Sequence, residues 1–181
     1  MDAELPRWQQ SRDAAAAHGM MIAVHAALAP DRSAIVAATG TRTFGELNAH
    51  ANQLVRGLRE RGLERKSSVA LICSNRAEFM EVHAACMRAG FILTPVNWHL
   101  RADEIAYIVG NCEAKAVIAE TRFSAAATHA VERSAHVQVK LSIGGQIDGF
   151  DDYAKFTRIQ DGSNIDTPSL GSPMLYTSGT T

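Results

Sequence analysis

The sequence has no surplus of charge of either sign, since 18 Lys and Arg residues stand against 19 Asp and Glu and give a formal net charge of −1. It also has no basic block and no basic stretch interleaved with aromatic residues. Proteins that bind nucleic acid need a positive surface that attracts the phosphate backbone. The sequence therefore predicts that nucleic acid is not a partner.

Long hydrophobic runs are missing as well. The longest apolar stretch near the N-terminus, residues 20–29, contains His25 and is too short to cross a bilayer. The chain begins Met1-Asp2-Ala3-Glu4, which is acidic where a secretory signal is basic. We expect a cytoplasmic protein without a transmembrane segment, and peripheral attachment to a membrane is left open.

Cysteine is scarce and scattered. Cys73, Cys86 and Cys112 form no CxxC pair and have no histidine cluster nearby, whereas structural metal sites need clustered ligands. Each cysteine falls within an apolar periodic segment, where a free thiol behaves as a small hydrophobic side chain. We expect three buried cysteines, no metal site and a reducing compartment.

What the sequence does have is a regular alternation of helical and strand patterns. Up to about residue 29 it is rich in Ala and predicts one helix, and residues 34–43 predict a small hairpin. Thr43, followed three residues later by Glu46, has the form of a capping box. A helix is therefore predicted to begin there and to end near Gly62.

Further along the chain, strands predicted to be buried on both faces alternate with helices. Asn75 and Glu78 are predicted to cap the first of these helices, and a clean alternation over 137–143 predicts a half-exposed strand. The continuous apolar runs of the buried strands lie at 69–73, 91–94 and 116–119.

The resulting order βαβαβαβ predicts an α/β fold with a mainly parallel sheet flanked by helices. From 144 to 172 the pattern weakens into Gly, Asp, Ser and Pro, which predicts a loop-rich connector with one short helix at 151–156. Met174, Leu175 and Tyr176 then have the character of a last strand, which leads into the C-terminal residues.

The C-terminal residues carry the first sign of chemistry, because they place hydroxyl groups around a glycine directly after an apolar segment. Glycine lets the backbone approach an anion, and Ser and Thr hydroxyls add uncharged donors, as a phosphate site requires. Taken alone, the string is more typical of a plain turn, and it lacks the Walker pattern. The residues concerned are Thr177, Ser178, Gly179, Thr180 and Thr181.

Other polar residues are interpreted as structural. His83 and His99 lie near strand ends but have no carboxylate or cysteine partner by spacing, so packing is favoured over acid–base chemistry. Trp98 follows a buried strand, where α/β proteins tend to place ligands, yet an apolar lid on the sheet is the simpler interpretation. Asp151 and Asp152 predict a helix N-terminus rather than a metal site. The sequence predicts no catalytic residue within this chain.

Three stretches carry motifs in a fixed order. Residues 43–47 read Thr-Phe-Gly-Glu-Leu, residues 89–97 read Ala-Gly-Phe-Ile-Leu-Thr-Pro-Val-Asn, and the C-terminal stretch, residues 176–181, reads Tyr-Thr-Ser-Gly-Thr-Thr. Together they resemble the adenylate-forming, acyl-activating enzymes, which include acyl-CoA synthetases, luciferases and peptide-synthetase adenylation domains. In that family the first two stretches read (Ser/Thr)-(Tyr/Phe)-x-Glu-Leu and Ala-Gly-x-x-x-x-Pro-(Leu/Val)-(Asn/Asp). The third opens a phosphate loop that continues Gly-x-x-Lys-Gly.

Two local details refine the resemblance, which extends from about residue 20 to residue 181. Asn97 stands where peptide-synthetase domains commonly have aspartate, and it favours the acyl-CoA synthetase branch. The stretch 65–68, Arg-Lys-Ser-Ser, departs from the Gly-Asp turn that the family often has before the next strand. The departure concerns that turn alone.

The resemblance implies an ATP-dependent acyl-CoA synthetase that acts on a fatty or other hydrophobic acid. In such enzymes the acid and ATP give an acyl-adenylate and pyrophosphate, and the thiol of coenzyme A then displaces AMP. By the resemblance, residues 177–181 belong to the loop that orients the β- and γ-phosphates, with Mg²⁺ offsetting their charge. The implied small-molecule partners are therefore a carboxylic acid, ATP with Mg²⁺, and coenzyme A.

The resemblance also implies that residues 1–181 are a partial N-terminal AMP-binding domain that ends inside the phosphate loop, with the C-terminal domain absent. We expect such a fragment to be catalytically inactive. Two alternatives stay open: a truncated binding or interaction module that uses its exposed sheet, and an adenylating enzyme for aryl or amino acids. A homodimer is also left open.

Overall fold

The computed structural model describes residues 9–177 and builds them around a parallel sheet. The helices are α1 (Arg12–Ala17), α2 (Met21–Leu28), α3 (Phe44–Glu60), α4 (Ala77–Ala89), α5 (Ala102–Asn111), α6 (Ser124–Glu132) and α7 (Tyr153–Arg158). The strands are β1 (Ser33–Ala37), β2 (Gly40–Thr43), β3 (Ser68–Ile72), β4 (Ile92–Pro95), β5 (Ala114–Glu120), β6 (Val139–Ile143), β7 (Asp151–Asp152) and β8 (Ser172–Pro173).

Six strands form the sheet in the order β7-β6-β5-β3-β4-β8, and every neighbouring pair is parallel. The predicted α/β fold with a mainly parallel sheet is therefore confirmed. Strands β1 and β2 form a separate antiparallel hairpin, also as predicted. No helix within residues 9–177 combines the length and the hydropathy that a membrane span requires.

Helices cover both faces of the sheet, which explains why β3 is apolar from Val69 to Ile72. Val69 and Leu71 face the core that contains residues of α3, α4 and α7, whereas Ala70 and Ile72 face the core beneath α5 and α6. All five β3 residues are buried. A strand covered on both sides gains from an apolar residue at every position, so its sequence loses the two-residue alternation.

The helix α3 begins as predicted. The Thr43 hydroxyl accepts a hydrogen bond from the Glu46 amide at 3.2 Å, and the Thr43 amide donates to the Glu46 carboxylate at 2.8 Å. This reciprocal pair satisfies two amides that the first helical turn leaves without partners. Gly62, which adopts a left-handed φ of 87°, follows the end of the helix as expected.

The single N-terminal helix predicted from the Ala-rich pattern is wrong, because the structure has two helices with a break between them. Gly19 lies in the break with a φ of 71°. A Cβ atom at this position would lie 2.2 Å from the carbonyl oxygen of Met87 on α4. The backbone of α4 approaches too closely for any other residue, and that long-range contact has no signature in the local pattern.

The prediction that the strand over 137–143 is half exposed is wrong at Ser142, whereas Gln138 is exposed and Lys140 is partly exposed as expected. Ser142, on the face predicted to meet solvent, is buried and its hydroxyl donates to the Asp151 carbonyl of β7 at 3.3 Å. The opposite face packs against Tyr153 and Phe156 of α7 within one apolar core. A polar side chain can be buried when it has a hydrogen-bond partner, and alternation alone does not distinguish that case from exposure.

The loop-rich connector over 144–172 is held against α3 by polar side chains. The Asn52 amide donates to the Gly162 carbonyl at 2.9 Å, and Arg56 donates to the Asp161 carbonyl at 2.9 Å. One turn further along α3, Arg59 donates to a carbonyl of the same connector at 3.1 Å. These bonds satisfy backbone groups that have no partner in a helix or a strand.

The three cysteines are buried and unpaired, as predicted. Cys73 and Cys86 belong to the core beneath α3, α4 and α7, and Cys112 belongs to the core beneath α5 and α6. They fill apolar space as small hydrophobic side chains.

Candidate functional site

The carboxyl ends of the parallel strands meet at one edge of the sheet, here called the carboxyl edge. Ser74 follows β3, Asn97 follows β4 and Glu120 ends β5. Open parallel sheets bind their ligands in the crevice outside this edge. The carboxyl edge is therefore the candidate functional site, and the polar residues after each strand are its candidate binding groups.

The predicted phosphate-loop residues begin where β8 leads toward this edge. Strand β8 pairs in parallel with β4, and the Met174 amide extends the ladder by donating to the Leu93 carbonyl at 2.7 Å. Thr177 follows and is exposed, whereas the remaining predicted residues, 178–181, lie outside the described residues. Their binding of phosphate stays a prediction. The predicted last strand over 174–176 is wrong in its bounds, because regular pairing is confined to Ser172–Pro173.

The aromatic residue after β4 forms a layered stack at the carboxyl edge. The rings of Trp98 and His99 have centroids 3.5 Å apart, and those of Trp98 and Phe123 are 5.2 Å apart. The Arg122 guanidinium lies over both Trp98 and Phe123, at 5.3 and 5.1 Å from the ring centroids. Arg122 and Phe123 follow β5, so the stack joins the ends of two strands.

This stack serves two purposes at once. Trp98 packs against the core beneath α5 and α6, which supports its interpretation as an apolar lid on the sheet. The cation over the ring face also leaves a flat, positively charged surface at the edge, where planar or anionic groups can bind. Sequence reasoning missed Arg122 and Phe123, although their position directly after a buried strand was a usable signal. The His99 ring packs on Trp98, as the packing interpretation expects.

A buried carboxylate fixes the loop after β3. One oxygen of Glu120 accepts hydrogen bonds from the Ser74 amide at 3.0 Å and from the Ser74 hydroxyl at 2.7 Å, and the other lies 3.8 Å from the Arg76 guanidinium. Gly144 approaches this guanidinium so closely that a Cβ atom there would lie 3.2 Å from it. The ends of β3, β5 and β6 are thereby tied together. Sequence reasoning missed Glu120, a carboxylate that closes an otherwise apolar strand.

The predicted cap of α4 by Asn75 and Glu78 is wrong. The residue before the helix is Arg76, and no side chain caps its first turn. Glu78 instead binds the Arg76 guanidinium, with Nη2 and Oε1 2.9 Å apart. Arg76 therefore bridges Glu78 and Glu120, and this ion-pair arrangement takes the place of a capping box.

The Cys73 thiol near the site is not poised for nucleophilic chemistry. Burial, assisted by the nearby Glu120 and Glu78 carboxylates, raises the pKa of the Cys73 thiol to about 12, so it stays protonated at neutral pH. Burial lowers the pKa of His83. In the part of the chain that the structure describes, no three His, Cys, Asp or Glu side chains cluster as a metal site requires.

The parallel sheet with helices on both of its faces defines an α/β protein, and the carboxyl edge of such a sheet is where ligands bind in this class of fold. Comparison with known proteins specifies the family. Residues 22–181 match the family model described as AMP-binding enzyme, and the chain belongs to that family.

The chain is similar to two kinds of curated relatives. It is 30% identical over 166 residues to the medium/long-chain-fatty-acid–CoA/3-oxocholest-4-en-26-oate–CoA ligase of Mycobacterium tuberculosis, covering 84% of this chain and 29% of that protein. It is also 31% identical over 153 residues to tyrocidine synthase 2 of Brevibacillus parabrevis, covering 84% of this chain and 4% of that protein. The chain thus spans less than a third of the length of either relative.

A solved structure confirms the fold. The anthranilate CoA ligase AuaEII, solved in complex with anthranoyl-AMP, superposes with a TM-score of 0.84 at 21% identity, over 91% of this chain and 32% of that one. The architecture is therefore that of the N-terminal part of an adenylate-forming enzyme.

Proposed function

We propose that this chain is the N-terminal part of an ATP-dependent acyl-CoA synthetase that acts on a fatty or other hydrophobic acid. In the first step a carboxylate oxygen bonds to the α-phosphorus of ATP, and the bond to pyrophosphate breaks. In the second step the coenzyme A thiol loses its proton and bonds to the acyl carbon, and AMP leaves. The similarity to a fatty-acid–CoA ligase and the asparagine at position 97 support this branch of the family.

One observation carries the proposal: β8 runs parallel to β4, so the chain leaves β8 toward the same edge at which Asn97 follows β4. A Ser/Thr-Gly string that continues from β8 in this direction would enter the crevice where parallel sheets hold ligands. If the chain left β8 toward the opposite edge of the sheet, the phosphate-binding interpretation of this string would have no such support.

The proposed roles of the loop follow from its composition. The hydroxyls of Thr177, Ser178, Thr180 and Thr181 would donate to the oxygens of the β- and γ-phosphates, and Gly179 would let the backbone amides approach them. Bound Mg²⁺ would offset the phosphate charge. Positioning of this kind can lower a barrier without a catalytic side chain from this part of the protein.

We further propose that residues 1–181 alone do not catalyse the reaction, and that the catalytic groups belong to a continuation of the protein. The first test is the gene sequence beyond codon 181, which should encode Gly-x-x-Lys-Gly. A stop at that position would instead favour a non-catalytic binding module. Acyl-CoA formation by the purified 181-residue chain would contradict the proposal.

The activity itself is tested with the product of the whole gene. Acid-dependent exchange of pyrophosphate into ATP should be lowered by Ser178→Ala by about tenfold or more, since a lost charge-assisted hydrogen bond costs roughly 1.5–3 kcal/mol. Ser33→Ala, at an exposed position of the β1–β2 hairpin, is the matched control and should leave the exchange unchanged. Equal loss in both variants, or none in either, would contradict the proposed loop.

A second candidate is the adenylation of an amino acid, which the similarity to tyrocidine synthase 2 supports. A substrate screen separates the two. Fatty acids and amino acids are offered to the same preparation, and pyrophosphate release and acyl-CoA formation are both measured. Acyl-CoA from a fatty acid supports the first candidate, whereas adenylation of amino acids without CoA transfer supports the second.

A further inference from the structure

A cavity lies on the face of the sheet opposite to the Trp98 stack, among α3, α4 and α7, and β2 closes it. Its volume of about 240 Å³ is well above what a single water molecule needs. Six side chains of its wall bear charge or strong hydrogen-bonding groups: Arg42, His50, Gln53, Glu78, Glu81 and Arg158. We call this space the Glu81 cavity.

Glu81 is the buried centre of this wall, with an exposure of 1%. One of its oxygens accepts from Arg42 Nε at 2.7 Å and lies 2.9 Å from His50 Nδ1. The other accepts from the Tyr153 hydroxyl at 2.9 Å. The carboxylate thus fixes three side chains of the wall, which come from β2, α3 and α7.

The two carboxylates of the wall, Glu78 and Glu81, each have a guanidinium partner. Arg76, outside the cavity, binds Glu78, and Arg42 binds Glu81. Arg158 has no ion pair within residues 9–177, and it lines the cavity from α7. The Arg158 guanidinium and the His50 imidazole, which already faces Glu81, therefore line the same cavity.

Three side chains of the wall keep donor groups without a partner among residues 9–177. His50 uses Nδ1 toward Glu81, and its second ring nitrogen is left for another partner. Arg42 uses Nε toward Glu81 and Nη1 toward the Thr41 carbonyl, and its Nη2 is left over. Together with the guanidinium of Arg158, three donor groups from three elements line one small cavity.

We propose that the Glu81 cavity binds a small phosphate-type oxyanion, held by Arg158, His50 and Arg42. Glu81 positions Arg42 and His50 and does not itself contact the ligand. The site includes none of residues 177–181, and it is independent of the proposed synthetase activity. Planar, multidentate guanidinium groups are the preferred protein partners of phosphate, which is why two arginines weigh more than the single imidazole.

The experiment is isothermal titration calorimetry of inorganic phosphate into the chain, in a buffer free of other oxyanions. Saturable binding at one site is expected. Arg158→Ala should weaken it by about tenfold, because one charge-assisted contact is lost. Arg133→Ala, at an exposed arginine directly after α6, is the matched control and should leave the affinity unchanged.

Two further arms identify the site and the source of the phosphate. Thr177→Ala should leave binding unchanged, whereas His50→Gln should weaken it while circular dichroism remains that of the wild type. Glycerol 3-phosphate replaces inorganic phosphate in a parallel titration, and tighter binding of the ester would identify a metabolite as the source. Absence of binding, equal loss with Arg133→Ala, or loss with Thr177→Ala but not with Arg158→Ala would overturn the proposal.

Discussion

The guanidinium of Arg88 on α4 donates to the side-chain oxygen of Asn52 on α3, with Nη1 and Oδ1 2.5 Å apart. Arg88 is fully buried, and in the part of the chain that the structure describes it has no carboxylate partner. Burial lowers its pKa to about 10, so the group stays charged at neutral pH. Amide oxygens hold this buried cation, and Asn52 in turn binds the connector at Gly162.

Replacement of Arg88 is expected to destabilise the fold in a graded manner. Arg88→Ala leaves Asn52 without its partner and opens a cavity, and should cost about 3 kcal/mol or more of the free energy of unfolding. Arg88→Met fills much of the volume and removes a charge that is costly to bury, so its cost should be smaller. Urea denaturation measures the free energy of unfolding of both variants. If Arg88→Met lowered it as much as Arg88→Ala, the role given to packing would be contradicted.

Stability is expected to fall in acid because of Glu81. Burial by itself raises the pKa of this carboxyl, but hydrogen bonds from His50, Arg42 and Tyr153 hold the pKa below its ordinary value of 4.5. A lowered pKa contributes stability that is fully present above the unfolded value and is lost as the pH falls through the folded value. The loss should therefore occur below about pH 4.5.

Glu81→Gln isolates this contribution. The variant should be less stable than the wild type at neutral pH, because Arg42 loses its ion pair. Its free energy of unfolding should change less with pH on the acid side, as urea denaturation from about pH 3 to about pH 7 would measure. Identical acid slopes in the two proteins would show that other carboxyls control the transition.

We expect any side chain at Gly57 on α3 to lower the stability of the fold. A Cβ atom there would lie 2.5 Å from the Phe156 ring of α7, so Gly57→Ala forces the ring to move and should cost about 1–3 kcal/mol. Gly110→Ala is the matched control, since its Cβ would lie 3.7 Å from the nearest atom. That variant should be neutral or stabilised by up to about 1 kcal/mol, since alanine favours a helix. Thermal unfolding of both variants decides the prediction.

Lys66 lies within the stretch that departs from the Gly-Asp turn of the family, and its φ of 68° is left-handed. Such a conformation costs a residue with a Cβ atom about 1–2 kcal/mol and costs glycine little. Lys66→Gly should therefore stabilise the chain by a fraction of that amount, since glycine also gains entropy in the unfolded state. Lys66→Ala keeps the strain and serves as the control. A glycine variant no more stable than the alanine variant would contradict this account.

The sequence by itself determined the class of fold and the order of its elements. Continuous apolar runs at β3 and β5 predicted strands buried on both faces, and Thr43 with Glu46 predicted the start of α3. These features arise from local chemistry, since helix caps and the periodicity of apolar residues depend on residues that are close together in the sequence. The motif order likewise predicted the family to which the chain belongs.

Only the tertiary structure decided which distant residues meet. The break at Gly19 depends on the backbone of α4, and the burial of Ser142 depends on β7. Arg76 joins Glu120 across 44 positions of sequence, which no spacing rule reveals. Glu81 likewise contacts polar side chains from β2, α3 and α7. A sequence pattern contains only the identity of a residue and of its neighbours in the chain. The partner of a buried charge depends on how the helices pack against the sheet.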